Sequence, residues 1–149
     1  MATKISDLSV RRCTLIHAPP ERIWQELETF ERMRAWYGIG HTLTKFEPRA
    51  GGTAETQVTH DGNTITFAGK VLVYDPPREL TFEQDWIGHG WLAPSMITIR
   101  LTPSLGGTLV ELFHHGFERL GGDPGEQHRG FEGSWDTRHL EALREIVEA

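Results

Sequence analysis

The sequence contains one cysteine, Cys13, and no hydrophobic run long enough to cross a membrane. A single cysteine cannot form an intrachain disulfide, and a membrane-spanning helix needs about 20 consecutive apolar residues. The stretch before residue 12 is polar and lacks the apolar segment of a signal peptide. We therefore expect a cytoplasmic protein without a membrane partner, and we expect Cys13 to be a small core residue rather than a reactive thiol.

Basic clusters and catalytic motifs are also missing. The formal net charge is −6, and no group of Lys or Arg extends beyond Arg11 and Arg12, which disfavours nucleic acid as a partner. The glycine pairs form neither a dinucleotide-binding motif nor a phosphate-binding loop, and no serine lies in a Gly-x-Ser-x-Gly setting. The eight histidines show no His-x-x-x-His spacing. We expect no metal and no cofactor, and an enzyme is less favoured than a binding protein because no catalytic dyad or triad is recognisable.

What is present is typical of one α+β domain spanning residues 1–149, of which 38% are hydrophobic. Period-two alternation predicts seven strands, of which 53–59 should be exposed, and Asp61-Gly62 is a hairpin signal. Two short helices are predicted between the first two strands, with Pro20 at the start of the first. The predicted strands are 8–17, 42–47, 53–59, 64–74, 80–86, 95–102 and 108–117; the short helices are 21–30 and 31–37.

A long amphipathic helix is predicted over residues 124–148, where apolar side chains recur at steps of three and four. Such a helix needs a broad apolar surface, which a bent antiparallel sheet would provide. The side of this helix that faces the sheet includes Phe131, Trp135 and His139. Trp135 is large and His139 is polar, which is unusual for a helix face that only fills a core. On the last strand, Phe113 is predicted to point outward, as a candidate homodimer contact.

Four motifs resemble those of the START/Bet v 1-like (SRPBCC) superfamily, and the most similar branch is the bacterial homologues of the C-terminal domain of the Hsp90 ATPase activator. The resemblance extends over about residues 8–147 and implies a helix-grip fold, in which seven strands wrap around a long C-terminal helix. The motifs are Ala18-Pro19-Pro20-Glu21-Arg22-Ile23-Trp24; Gly51-Gly52; Gly69-Lys70-Val71 with Asp75-Pro76-Pro77-Arg78-Glu79-Leu80; and Gly107-Thr108 with His114-His115-Gly116-Phe117-Glu118-Arg119-Leu120.

The resemblance also implies an internal cavity that binds a small, largely apolar molecule such as a lipid, a polyketide or an aromatic metabolite. Two alternatives stay open: an interaction module that docks on a chaperone, as in the Hsp90 activator, and an enzyme similar to polyketide cyclases or dehydratases. Bacterial relatives tend to carry a tryptophan where this chain has Gln84, and Trp86 lies two residues further along the same face. The ligand is therefore not inferred from the relatives.

The candidate ligand-binding residues are those that the pattern turns toward the space between helix and sheet. Aromatic walls with a few polar groups are typical of ligand pockets. As a hypothesis, His114 hydrogen-bonds the ligand or acts as a general base, with His139 and Tyr37 as further candidates. The alternative to a pocket is a filled aromatic core in which the histidines are hydrogen-bonded within the protein. The candidates are Trp36, Tyr37, Phe67, Gln84, Trp86, Ile97, Leu112, His114, Phe131, Trp135 and His139.

Overall fold

The computed structural model describes residues 3–38 and 40–149. These residues form seven strands and four α-helices, with single 3₁₀ turns at Gln25–Leu27 and Phe117–Arg119. In chain order the elements are β1 (Val10–Ile16), α1 (Pro20–Trp24), α2 (Phe30–Tyr37), β2 (Thr42–Phe46), β3 (Thr53–His60), β4 (Asn63–Asp75), β5 (Glu79–Trp86), β6 (Ser95–Ser104), β7 (Gly107–His115), α3 (Pro124–Ser134) and α4 (Arg138–Glu148).

Local sequence signals explain where the helices begin. Pro20 occupies the first position of α1, where its missing N–H leaves no hydrogen bond unmade. Thr29 caps α2 by accepting a hydrogen bond from the backbone N–H of Arg32 at 3.1 Å. Asp123 caps α3 in the same way, and Pro124 follows it at the first helical position.

The strands form one antiparallel sheet in the order β1-β7-β6-β5-β4-β3-β2. The sheet curls around its concave face, and the predicted α+β helix-grip fold is confirmed. Gly69 on β4 lies close to the backbone of β5, because a Cβ atom on Gly69 would lie 2.4 Å from the carbonyl oxygen of Glu83. The register shift of this strand pair falls further along, between Val71 and Val73. The glycine is thus required by close packing in the curled sheet.

The core lies between the concave face and the helices. It takes inward side chains of the central strands together with α1, α2 and α4, and its largest members are almost completely buried. Among its residues are Ile23, Leu27, Met33, Trp36, Tyr37, Leu80, Phe82, Ile97, Ile99, Leu112, Leu140 and Leu143.

The prediction of one continuous C-terminal helix is wrong. The helix is broken at Trp135, whose backbone is extended with φ −83° and ψ 138°. Arg12 on β1 donates to the carbonyl oxygens of Glu132 and Trp135 at 3.0 and 3.1 Å, so the carbonyls at the break are satisfied. Asp136 then accepts from the backbone N–H of Arg138 at 2.9 Å and starts α4. A tertiary contact with β1 therefore fixes the break.

Two predictions of exposure are also wrong. Cys13 is exposed rather than in the core, because it points away from the concave face on β1, which is an edge strand. Phe113 points outward as predicted but is only 8% exposed. The guanidinium of Arg100 lies 5.5 Å from the centre of its ring and covers it. Phe113 therefore offers little free surface for a homodimer contact.

Candidate functional site

A pocket of about 310 Å³ lies between the concave side of the sheet and the junction of α3 with α4. Its floor comes from β3 and β5, and exposed side chains of the junction form its rim. The lining residues are Gly40, His41, Thr56, Val58, Gln84, Phe131, Ser134, Trp135, Asp136, Arg138 and His139. This volume is at the lower end of the range for small-molecule sites, roughly 300–1,000 Å³.

Two histidines form the polar end of the pocket. The rings of His41 and His139 lie 4.9 Å apart, and both border the ring of Tyr37, at 5.4 and 5.1 Å. Burial lowers the pKa of His41 to about 4, helped by the positive potential of His139 and Arg138. Burial also lowers the pKa of His139. Both rings are therefore neutral at pH 7.

The apolar wall is the last turn of α3. Phe131 and Trp135 are four residues apart, so their rings lie on the same side of the chain, and Val58 faces them from β3. Arg138, at the rim, forms an ion pair with Asp136 through a 2.7 Å hydrogen bond. The pocket thus combines an aromatic wall and neutral polar groups with one Asp–Arg ion pair at its rim.

His114 lies behind this wall in a closed hydrogen-bond chain. The indole N–H of Trp135 donates to Nδ1 of His114 at 3.1 Å, so the proton of the neutral ring is on Nε2. Nε2 donates to the Ser95 hydroxyl at 2.8 Å, and that hydroxyl donates to the backbone carbonyl oxygen of Gln84 at 2.8 Å. Burial lowers the pKa of His114 to about 3. Both of its ring nitrogens are already used within the protein.

The pocket brings together four of the predicted ligand-binding residues, Gln84, Phe131, Trp135 and His139. The predicted residues that instead lie in the core, with at most 1% of their surface exposed, are Trp36, Tyr37, Ile97, Leu112 and His114. Phe67 and Trp86 are half-buried in a separate aromatic group. In that group Trp86 stacks on His89 at 3.8 Å, and Trp91 lies between these rings and Phe131.

Several lining residues were not found from the sequence. Thr56 and Val58 were missed because β3 was predicted to be exposed, whereas Thr56 is only 5% exposed. Asp136 and Arg138 were missed because one continuous helix was predicted, and the break places them at the pocket rim. His41 directly precedes the predicted strand 42–47, so no alternation indicated which way its side chain points. Asp136-Thr137 after Gly133-Ser134 was the available signal for a new helix start.

Comparison with known families decides the relationship. The model of the family described as "Activator of Hsp90 ATPase homolog 1-like protein" matches residues 17–148. The chain belongs to this family. The match of this Hsp90-activator-like family confirms the resemblance predicted from the four sequence motifs. Sequence comparison with curated proteins gives no match.

Solved structures share the fold over nearly the whole chain. Protein CV1439 from Chromobacterium violaceum is 20% identical, with a TM-score of 0.71 over 97% of this chain and 99% of its own. The Aha1 dimer from Colwellia psychrerythraea is 18% identical, with a TM-score of 0.66 over 94% of this chain and 96% of its own. DynU16, a protein of the dynemicin biosynthetic locus, is 19% identical, with a TM-score of 0.69 over 97% of this chain but 48% of its own.

The described residues offer neither a metal cluster nor a membrane-spanning helix. Within residues 3–38 and 40–149, no group of three or more His, Cys, Asp or Glu side chains could hold a metal ion. None of the helices in these ranges combines the length and the apolar character that a bilayer-spanning helix requires.

Proposed function

We propose that the protein binds one small, largely apolar molecule in the pocket at the α3–α4 junction. The observation that carries this proposal is the cavity of about 310 Å³, with Phe131 and Trp135 on one wall and His41, His139 and Gln84 among its polar groups. An aromatic wall with a few polar groups is the usual composition of a small-molecule site. The shared fold of a protein from a biosynthetic locus is consistent with such a role.

A substitution that fills the pocket tests this proposal. Val58 is half-buried and lines the pocket from β3, so Val58→Trp should occupy the cavity. The matched control is Thr59→Trp, because adjacent residues of a strand point to opposite faces and Thr59 is exposed. Both variants carry the same added side chain on the same strand.

The measurement is a fluorescence titration with a naphthalene dye, supported by native mass spectrometry of the purified protein. We expect one dye per chain in the wild type and in Thr59→Trp, and at least about tenfold weaker binding in Val58→Trp because the cavity is filled. Equal affinity in Val58→Trp, with its fold intact by circular dichroism, would place the dye elsewhere and reject the pocket as the site.

A second candidate function is docking on a chaperone of the Hsp90 type, which the family's description suggests. The observation that favours it is exposed apolar surface between β5 and β6, where Ile87 is 52% and Leu92 is 82% exposed. If this surface docks, the protein should change the ATP hydrolysis rate of a purified bacterial Hsp90-type chaperone. The double variant Ile87→Asp/Leu92→Asp should abolish that change.

Leu105 provides the control for the docking test. It is 97% exposed in the β6–β7 turn, at the other end of β6 from Leu92. Leu105→Asp therefore adds a charge to an exposed leucine away from the proposed surface and should keep the wild-type effect. An unaltered hydrolysis rate with excess wild-type protein would count against the docking function.

A further inference from the structure

One ring nitrogen of His139 is hydrogen-bonded within the protein, and the other has no partner among the described residues. Its Nδ1 lies 3.3 Å from the carbonyl oxygen of Trp36, and a carbonyl can only accept, so the proton of the neutral ring is on Nδ1. Nε2 is then a hydrogen-bond acceptor, and no described residue donates to it. His139 is also the second residue of α4, and the positive end of a helix disfavours a charged imidazolium there.

His41 and Tyr37 have polar atoms without partners that are enclosed by the protein. Nε2 of His41 is buried and has no hydrogen-bond partner among the described residues. The hydroxyl of Tyr37, whose ring borders both histidines, is likewise buried without such a partner. These two atoms are enclosed by the protein and are not open to the pocket, whereas His139 is a lining residue. A polar atom left without a partner costs about 1–3 kcal/mol, so the acceptor on Nε2 of His139 favours a hydrogen-bond donor from a ligand.

The charges around the pocket argue against an anionic ligand. Arg138 supplies the one Lys or Arg side chain among the lining residues, and Asp136 is already bonded to it. An ionised carboxylate or phosphate has no proton to donate to Nε2 of His139, so its binding there would require protonation of a buried ring. A neutral hydroxyl needs no such change, since it can donate its proton to the imidazole nitrogen.

We propose that the pocket selects neutral aromatic molecules that carry a hydroxyl group, with the hydroxyl bonded to Nε2 of His139 and the ring against Phe131 and Trp135. This inference rests on the proposed ligand-binding function and adds to it the chemical class of the ligand. The acceptor at Nε2 of His139 is the feature that distinguishes a hydroxyl from an ether or a plain hydrocarbon of similar size.

The test compares 2-naphthol, 2-methoxynaphthalene and naphthalene as competitors of the bound naphthalene dye at pH 7.5. A phenolic hydroxyl has a pKa of about 10, so 2-naphthol remains neutral there. We expect the affinity for 2-naphthol to be at least about tenfold higher than that for either of the other two compounds, because only 2-naphthol donates a hydrogen bond. Comparable affinities for the three compounds would overturn the inference and leave the binding function in place, whereas no binding of any compound would reject both.

Variants of His139 identify the anchor. His139→Phe removes the acceptor while keeping a ring, so the preference for 2-naphthol should disappear while naphthalene still binds. His139→Gln restores an acceptor oxygen and should recover part of the preference. His60→Phe, in the exposed β3–β4 hairpin, is the control and should behave as wild type. A preference that persists in His139→Phe would overturn the assignment of His139 as the anchor.

Discussion

At the scale of single residues, two buried histidines of this protein have different hydrogen-bond environments. His114 accepts from Trp135 and donates to Ser95, so neither ring nitrogen is available. His139 donates to a backbone carbonyl, and its other nitrogen has no partner among the described residues. The same residue type is therefore a structural link in one place and a candidate ligand contact in the other.

The neutral ring of His114 predicts a dependence of stability on pH. Burial lowers its pKa from 6.5 to about 3, and its neighbouring titratable group is His115. Below pH 6.5 the unfolded chain takes up a proton that the folded chain does not, so this contribution is present above pH 6.5 and is lost as the pH falls toward 3. By pH 5 the loss from this one histidine should be about 2 kcal/mol.

Urea unfolding at pH 7.5 and pH 5 measures this effect. His114→Phe cannot take up the proton, so its free energy of unfolding should fall by about 2 kcal/mol less than that of the wild type over this interval. His41 and His115 titrate in both proteins and cancel in the comparison. His60→Phe removes an exposed histidine and should follow the wild type. Identical pH dependence in wild type and His114→Phe would contradict the prediction.

Sequence periodicity placed side chains on the correct face more readily than it predicted their contacts. Gln84, Phe131 and His139 were turned toward the helix–sheet space from alternation and helical spacing alone, and they line the pocket. The partners of His114 come from residues 19 and 21 positions away, and no local pattern reveals them. Whether a buried polar residue is satisfied therefore required the tertiary structure.

At the scale of elements, the two C-terminal helices differ in how they are held. α4 buries His139, Leu140 and Leu143, whereas α3 has no buried residue. Gly130 and Gly133 further weaken α3, because glycine loses more backbone entropy in a helix than other residues do. α3, which carries Phe131 of the pocket wall, therefore belongs to the less stable part of the fold.

Alanine substitutions in α3 should stabilise it. A Cβ atom at Gly130 or Gly133 meets no other atom within 4 Å, so each change should raise helix stability by about 1 kcal/mol. Hydrogen exchange should show that α3 amides exchange faster than α4 amides in the wild type. In the double variant Gly130→Ala/Gly133→Ala, the α3 amides should exchange more slowly than they do in the wild type. Gly69→Ala is the contrasting control, because its Cβ would collide with Glu83 and destabilise the protein. Unchanged exchange in α3 of the double variant would refute this account.

The strands were predicted to within a few residues, since alternation, prolines and glycine turns are local signals. The break between α3 and α4 was not predicted, because the apolar stripe continues across it and the contact that stabilises it comes from Arg12, more than a hundred positions earlier. The prediction that β3 is exposed was wrong for a similar reason, since its burial depends on contacts that are distant in sequence. Small polar residues such as Thr56 are buried when a pocket wall covers them.

At the scale of the whole molecule, the pocket joins β3, β5, α3 and α4, which are distant in sequence. A ligand bound there stabilises the folded state by mass action, because the unfolded chain has no such site. At a ligand concentration of about 100 times Kd the gain is about 2.7 kcal/mol, which for a chain of this size raises Tm by about 5 to 10 °C.

Thermal unfolding with and without 2-naphthol checks this coupling. The Tm of the wild type and of Thr59→Trp should rise with ligand concentration, while that of Val58→Trp should not. Hydrogen-exchange protection should increase in α3 and at the start of α4 more than in the β6–β7 turn around Leu105. An equal rise of Tm in Val58→Trp would show that the ligand stabilises the fold from another site.

The exposed thiol of Cys13 has a practical consequence. It is the single cysteine of the chain, so a maleimide fluorophore attaches at one position without any mutation. Its neighbour Arg12 points to the opposite face of β1 and bonds the carbonyl of Trp135. A dye on Cys13 is thus one residue from the arginine that holds the helix junction, and its anisotropy would report whether that junction loosens when the pocket is filled.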